Sequence, residues 1–304
     1  MPLSPVMTEL LREFDALSNN RSLAVPQERV IGRHQRADGE TAVVFGPVAL
    51  PSGSATRIRR LHQAGSLKLR FPRLPKPGAE AILVNTSGGL TGGDRLRQRF
   101  EVEPDGDLTV TTQACERVYR SLGGDAEVAT VLRVGEGATL RYLPQETILF
   151  DGGRLRRSLD LEACASSRFL LVESVILGRE AMGESVRTGR LRDRWRIRRD
   201  GALVFADDLD IDADEAGLVD APSALGRHRA FATIVWQNGT PEADLPALRA
   251  ILEDPDGRVT GGASTVARLG VARLAAPSFH LLRRRLVPAL ALLARDGLPL
   301  VWSL

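Results

Sequence analysis

The strongest constraint on this chain is its punctuation by turn residues. Asp38-Gly39, Pro104-Asp105-Gly106, Gly135-Glu136-Gly137, Asp151-Gly152-Gly153 and Asp200-Gly201 recur at roughly strand-plus-turn intervals from about Gly32 onward. Glycine adopts positive φ without steric cost and aspartate tolerates it, so such pairs close turns between extended segments. The segments between them alternate with period two. In DRWRIRRDGALVF, Trp195 and Ile197 fall on one face and Arg194, Arg196 and Arg198 on the other. Asp200-Gly201 then leads into Leu203 and Phe205, which predicts a hairpin. DLTVTT and ATLRYL behave similarly, while the continuous apolar run of SRFLLVESVIL predicts a strand buried on both faces. No internal repeat of fixed period and no low-complexity tract is visible.

Helical spacing is confined to the ends. Thr240-Pro241 opens a segment in which Leu245, Leu248, Ile251 and Leu252 share a face before Asp254-Pro255 stops it. A second helix is expected from Ser278, with Leu282, Leu286, Leu290 and Leu293 on one stripe and Gly297 at its end. At the N-terminus, Ser4-Pro5 precedes Val6, Leu10, Leu11, Phe14 and Leu17 on one helical face, and a polar connector follows. The expected architecture is mainly β, a large β-rich body of sandwich or stacked-sheet type over residues 32–304 with a few helices mostly towards the C-terminus. Residues 1–31 form an N-terminal extension, helix plus loose connector.

Composition removes several functions. Of the 304 residues, 43% are hydrophobic, which is globular rather than disordered. Basic residues number 41 and acidic residues 38, a net charge of +3. Lys68 and Lys76 are the only lysines; the rest of the basic residues are arginines interleaved with acids, as on an ordinary solvated surface. With two tyrosines and no clustered basic face, a nucleic-acid role is not expected. No apolar stretch approaches the ~18 residues that span a bilayer. Glu9, Glu13 and Asp15 interrupt the N-terminal apolar residues, so no signal segment is read and a cytoplasmic location is expected. Cys115 and Cys164 give neither a disulfide framework nor a CxxC site.

The glycine-rich run Asn85–Arg95, NTSGGLTGGDR, has no lysine and carries Asp94 where a phosphate needs a donor; RLRQRFEVE after it reads as a strand. A tight turn positioning Asp94 is the better reading than a nucleotide loop. The acidic run from Asp207 to Glu215 fails as a calcium loop, because counting from Asp208 puts Ala213 and Val219 where glycine and glutamate belong. A solvated edge or turn is expected there. His34, His62, His228 and His280 show no metal-ligand spacing, and no nucleophile elbow is present. Carboxylates in or beside apolar strands stand out instead: Glu146, Glu173, Glu180 and Glu184. A buried carboxylate needs a cation, supplied by one of the many arginines or by a functional ligand. A carboxylate-dependent hydrolase is the enzyme alternative, requiring two acids about 5–10 Å apart across a cleft.

NTSGGLTGGDRL, TTQACERVYRS, LPQETILFDGGRLRRS and ESVILGREAMGE, in this order, resemble the signature segments of the UreD (UreH) family of urease accessory proteins. Pro299–Trp302, PLVW, is similar to the family's closing Pro-Arg-Ile-Trp pattern, with Leu300 in place of arginine. The resemblance is dense between Asn85 and Glu184 and thinner after Asp207. It implies a mostly β scaffold, not an enzyme, that binds UreF, through it the GTPase UreG, and docks on apo-urease for nickel insertion. It also implies an internal tunnel carrying Ni2+ in transit, with no tightly bound cofactor. Weak, hard carboxylate contacts suit such a conduit, because an ion must both enter and leave. The conduit candidates are Asp94, Glu146, Glu173, Glu180 and Glu184. Trp302, Leu286 and Leu290 are the partner-binding candidates, aromatic and apolar groups of the kind that anchor interfaces.

Overall fold

The computed structural model describes residues 36–303 apart from 52, 76, 180–181, 216–218, 222–223 and 227. The expected N-terminal helix and connector lie outside these residues. Ala37–Leu304 forms one compact unit. Its strands are β1 (Asp38–Leu50), β2 (Gly53–Gly65), β3 (Leu67–Arg70), β4 (Ala79–Asn85), β5 (Arg95–Val102), β6 (Asp107–Thr112), β7 (Glu116–Val118), β8 (Ala126–Val134) and β9 (Thr139–Leu143). They continue as β10 (Thr147–Leu149), β11 (Arg154–Ala163), β12 (Arg168–Leu177), β13 (Arg190–Arg199), β14 (Ala202–Asp212) and β15 (Ala230–Gln237). Helix α1 (Pro241–Leu252), the hairpin β16 (Thr260–Val266) and β17 (Leu269–Ala276), helix α2 (Phe279–Ala294) and a short 3-10 turn at Leu300–Trp302 complete the chain.

The mainly β, stacked-sheet architecture expected from the turn pattern is what forms. One sheet has seven strands in the order β14-β13-β11-β8-β5-β1-β2, and the other has ten, β16-β17-β15-β12-β9-β6-β4-β3 with β10 beside β12 and β7 beside β10. The strands at the edges of the sheets pair antiparallel: β1 with β2, β13 with β14 in the hairpin at Asp200-Gly201, and β16 with β17. The middle is a coil. β5, β8, β11 and β13 lie parallel in the first sheet, and β4, β6, β9 and β12 lie parallel in the second. The chain passes from one sheet to the other and back, so each circuit lies on the preceding one, as in a solenoid. Phe100, Leu132, Leu161 and Ile197 occupy one position in four successive strands. Their unequal steps explain why no fixed period shows in the sequence.

The Gly-rich segments are the corners of this coil. Gly93 N–H donates to Asp125 O at 2.9 Å, Ser121 N–H to Gly152 O at 2.8 Å, and Gly152 N–H to Thr188 O at 2.9 Å. The corners stack so closely that a Cβ on Gly92 would lie 2.0 Å from Ser121 Oγ, and one on Gly189 (φ +110°) 2.2 Å from Gly153 O. Asp38-Gly39 departs from expectation: it opens β1 instead of closing a turn. Its glycine serves close approach, since a Cβ there would meet Leu67 N at 2.9 Å.

Two apolar layers hold the unit together. Between the sheets lie Phe100, Leu132, Leu161, Leu171 and Ile197, and between the second sheet and the helices lie Leu170, Val172, Ile234, Trp236, Leu248 and Leu282. β12 faces both layers by alternation, so it is buried on both faces, as its unbroken apolar run predicts. The acidic run falls in β14 and the residues just after it. Arg190 meets Asp210 at 2.6 Å and Arg196 meets Asp208 at 2.7 Å across the β13–β14 ladder. This solvated, charge-paired strand leaves no calcium loop to explain.

Candidate functional site

The layer between the sheets is not wholly apolar. On β11 the side chains of Leu155, Arg157, Leu159 and Leu161 point inward, so the alternation buries one arginine among leucines. Its register partner on β13 is Asp193, and Glu173 of β12 reaches it from the facing sheet. Arg157 donates to Glu173 Oε2, to Asp193 Oδ2 at 2.5 Å and to Thr147 Oγ1 at 3.2 Å. All three charged residues are under 9% exposed. One guanidinium thus neutralises one of two carboxylates, leaving a proton or a second cation to balance the other. Burial pushes the Glu173 carboxyl up to about 7, Arg157 opposes the rise and the Asp193 charge adds to it. Burial opposes the charge on Arg157, but Asp193 and Glu173 outweigh it and raise its pKa. The Tyr142 phenol alongside is also raised, first by burial and then by Glu173.

A cavity of about 220 Å³ leads outward from this cluster. Glu173, Arg157, Thr147, Tyr142 and Gln98 line its inner end, and Asn85, Gly88, Gln113, Cys115, Glu116 and Arg117 its outer end. Gly88, Gln113 and Arg117 are exposed, so the cavity runs from the surface to a buried charge cluster. Gln98 Oε1, Gln145 Nε2, Arg157 Nε and Asp193 Oδ1 have no protein partner among the described residues. Buried polar atoms of this kind are satisfied by ordered water, for which the cavity has room. At the mouth, Asn85 Nδ2 donates to both oxygens of Glu116 at 3.2 and 3.1 Å. Burial pushes the Glu116 carboxyl up to about 7 against that bond. The Cys115 thiol is raised by burial and then by Glu146. Tyr119 borders the mouth: its hydroxyl donates to Gly88 O at 3.3 Å, and its ring meets Phe150 edge-on at 5.1 Å.

The residues singled out in the sequence are dispersed. Glu173 sits at the inner end of the cavity. Glu146 lies beside the mouth without lining it; its Oε2 is buried without a protein partner, its main-chain carbonyl accepts from Glu116 N–H at 2.9 Å, and burial raises its carboxyl. Asp94 is a structural clasp, its two oxygens accepting from Ala37 N–H and Thr91 N–H at 2.8 Å each. It ties the glycine-rich turn to the start of β1. Glu184 is held by Arg179 through two bonds of 2.9 Å, beside a separate cavity that includes Arg229 and Phe279. Glu180 lies outside the described residues. Leu286, Leu290 and Trp302 are at most 1% exposed, so they are core and not a free partner surface. Burial of apolar area against the second sheet outcompetes exposure for them, and Trp302 Nε1 donates to Leu143 O at 3.0 Å.

Sequence reading passed over Arg157, Asp193, Gln98, Glu116 and Asn85. The signal for the first three was parity. Arg157 shares a face with Leu155 and Leu159, Asp193 with Leu191, Trp195 and Ile197, and Gln98 with Leu96 and Phe100. In Arg154-Leu155-Arg156-Arg157 the three arginines do not share one face. Arg154 and Arg156 point outward to Asp125, while Arg157 points in. Among the described residues, no three of His, Cys, Asp and Glu converge on a point that could hold a metal ion.

Comparison with known proteins agrees with the resemblance in the signature segments. A family model described as UreD urease accessory protein matches residues 37–303. A protein of Chelativorans sp. named urease accessory protein UreD is 49% identical over 250 residues, covering 82% of this chain and 89% of its own. Proteins of the same name from Rhizobium etli and Brucella suis are 43% and 40% identical, covering 90% and 94% of this chain and 97% and 99% of theirs.

Proposed function

The chain belongs to the UreD family of urease accessory proteins, and from that premise we propose that it is a non-enzymatic scaffold for nickel insertion into urease. In this reading it binds UreF, through UreF the GTPase UreG, and docks on apo-urease in the cytoplasm. Ni2+ is its cargo and not a resident cofactor. The observation that carries the reading is the cavity joining an exposed mouth to the buried Glu173–Arg157–Asp193 cluster.

Its chemistry suits transit. The lining offers carboxylate, carboxamide and hydroxyl oxygens and one thiol held in its protonated form by burial. Oxygen donors bind Ni(II) more weakly than imidazole or thiolate, so an ion in such a passage is not trapped. Glu116 at the mouth and Glu173 at the inner end both titrate near neutrality. Each can therefore exchange a proton for a passing cation with little cost in charge. Arg157 keeps the inner cluster from becoming a permanent metal site, because it occupies one oxygen of each carboxylate. The exposed Tyr119 beside the mouth, and not the buried Trp302, is where a partner surface is expected.

The test is Glu173→Gln, assayed by activation of co-expressed urease at limiting nickel. The substitution keeps a hydrogen-bond acceptor for Arg157 and removes the exchangeable proton. The expected result is a folded protein that still co-purifies with UreF and UreG but activates urease poorly. Normal activation by the variant at limiting nickel would overturn the role of Glu173. Failure to co-purify with UreF in the unaltered protein would overturn the scaffold reading itself. Nothing favours the hydrolase alternative, since Glu173 and Asp193 are both buried on one guanidinium and not set across an open cleft.

A further inference from the structure

Among the described residues, one edge of the first sheet is open. β2 is the last strand in its order, and the described residues that meet its main chain from outside the sheet do so at its two ends, where Thr56 N–H donates to Pro77 O at 2.9 Å and Lys68 Nζ donates to Gly65 O at 2.8 Å. From Arg57 to Gly65 every residue is exposed except the half-buried His62. Long exposed edges present unpaired N–H and C=O groups that invite another strand, and proteins normally shorten or cover them. This run is about 30 Å long at ~3.3 Å per residue.

Its two faces differ. Ile58 pairs with Phe45 and Leu61 with Val43, both members of the inter-sheet core, so Ile58 and Leu61 continue that apolar face beyond the edge at 38% and 39% exposure. Arg57 and Arg60 pair with Gly46 and Val44 and stand on the opposite face. β2 contains no acidic residue. Arg57 reaches only the Thr56 carbonyl, and among the described residues neither Arg57 nor Arg60 has a carboxylate partner within 4.0 Å. Arg59, at the irregularity opposite Val44 and Phe45, lies 3.5 Å from Glu103.

We propose that β2 between Arg57 and Gly65 is a strand-addition site for an extended acidic segment of a partner protein. Main-chain bonds to the open edge supply register-independent affinity. Alternation supplies specificity: an added strand with acids on one face and aliphatic side chains on the other sets the acids beside Arg57 and Arg60 and the aliphatics beside Ile58 and Leu61. A second copy of this chain fits poorly, because β2 pairing with itself brings arginines against arginines. The proposal is independent of the path nickel takes.

The experiment is hydrogen exchange by mass spectrometry on the full chain, titrated with a peptide of about nine residues alternating glutamate with valine and threonine, matched to the free edge. Protection of a site follows 1 + [L]/Kd, so peptide at about ten times its Kd slows exchange of the outward amides of Arg57–Gly65 about tenfold. A peptide with lysine for glutamate, and one with alternate main-chain nitrogens methylated, are expected to give no protection. Arg57→Glu combined with Arg60→Glu is expected to weaken the acidic peptide about tenfold or more and to admit the lysine peptide. Both residues are exposed, and the wild-type titration stands even where this variant fails to fold. No protection up to about 1 mM peptide overturns the proposal, that being the weakest useful affinity. Equal protection by the lysine or methylated peptide also overturns it, as does concentration-dependent self-protection that the acidic peptide does not displace.

Discussion

The charge imbalance around Arg157 makes a prediction about stability that depends on pH. Glu173 and Asp193 share one guanidinium in a desolvated layer, and the Glu173 carboxyl is pushed from 4.5 up to about 7. A carboxyl whose pKa is raised by folding holds its proton longer in the native state than in the unfolded one. Native protein therefore binds the extra proton between pH 4.5 and 7, and stability falls as pH rises through that window. At about 1.36 kcal/mol per unit, the shift removes about 3 kcal/mol by pH 8, of which about 2–3 kcal/mol is lost between pH 5 and pH 8. Glu173→Gln removes this group's titration while keeping an acceptor for Arg157. Any fixed cost of the amide is the same at both pH values and cancels in the comparison. Urea unfolding of both proteins at pH 5 and pH 8 should therefore show the variant gaining about 2–3 kcal/mol on the wild type over that interval. Glu116 titrates in the same range, but it does so in both proteins and drops out. A variant equally destabilised at both pH values refutes the raised pKa. One that is worst at pH 8 shows instead that Glu173 is ionised throughout and is the counter-ion Arg157 requires.

Removing the cation is expected to be harsher than removing one carboxylate. Arg157→Met leaves Glu173 and Asp193 facing each other without a partner and should cost about 3–5 kcal/mol in urea unfolding at pH 7.5, less at pH 5 where Glu173 is protonated. Trp302→Ala empties a fully buried site and removes one of the two hydrogen bonds to the Leu143 carbonyl, the other coming from Thr111 Oγ1 at 2.7 Å; a loss of about 3–5 kcal/mol in the same assay is expected, without the pH dependence. The stacked corners predict a contrast between two glycines at positive φ. Gly189→Ala drives its Cβ into Gly153 O, whereas Gly201→Ala meets open space; thermal unfolding should show Gly201→Ala costing about 1 kcal/mol and Gly189→Ala clearly more.

The architecture was legible where local chemistry determines it. Asp200-Gly201 closes a hairpin because the turn type is set by two residues and the alternation beside it, both of which are read without knowing the rest of the fold. The two C-terminal helices follow from spacing and end near their predicted stops, at Leu252 and Ala294. The parallel coil was not legible. A hairpin's partner is its sequence neighbour, but Leu132 pairs with Phe100 and with Leu161 across intervening strands of the other sheet. Corners of unequal length shift each circuit, so the structural repeat leaves no repeat in residue number. Glycine carries the same ambiguity. In Gly92-Gly93 and Gly152-Gly153 it marks stacked corners, and in Gly39 it marks a strand pressed against its neighbour, though all look alike in sequence.

The site was legible one residue at a time and not as a constellation. Glu173 stood out because it interrupts an apolar run, and a carboxylate inside FLLVESVIL must be compensated. Finding what compensates it needed parity in a different segment. In RLRRSLDLEA the apolar side chains fall at Leu155, Leu159 and Leu161, and the position completing that face is Arg157, not its neighbour Arg156. The same count in RLRDRWRIRR puts Asp193 with Leu191 and Trp195. Each strand thus carries one charge on its buried face, which is costly alone and tolerable only if the three meet. Charge cost therefore predicts their convergence, whereas Asp94, buried in a turn, is compensated locally by two main-chain N–H groups, and Glu184 is a half-buried partner of the exposed Arg179. What parity cannot supply is the register that sets Arg157 beside Asp193 and opposite Glu173, because that depends on corner lengths all along the coil. A buried charge on an otherwise apolar strand face is accordingly the better guide to a site in this fold than a carboxylate near an apolar run.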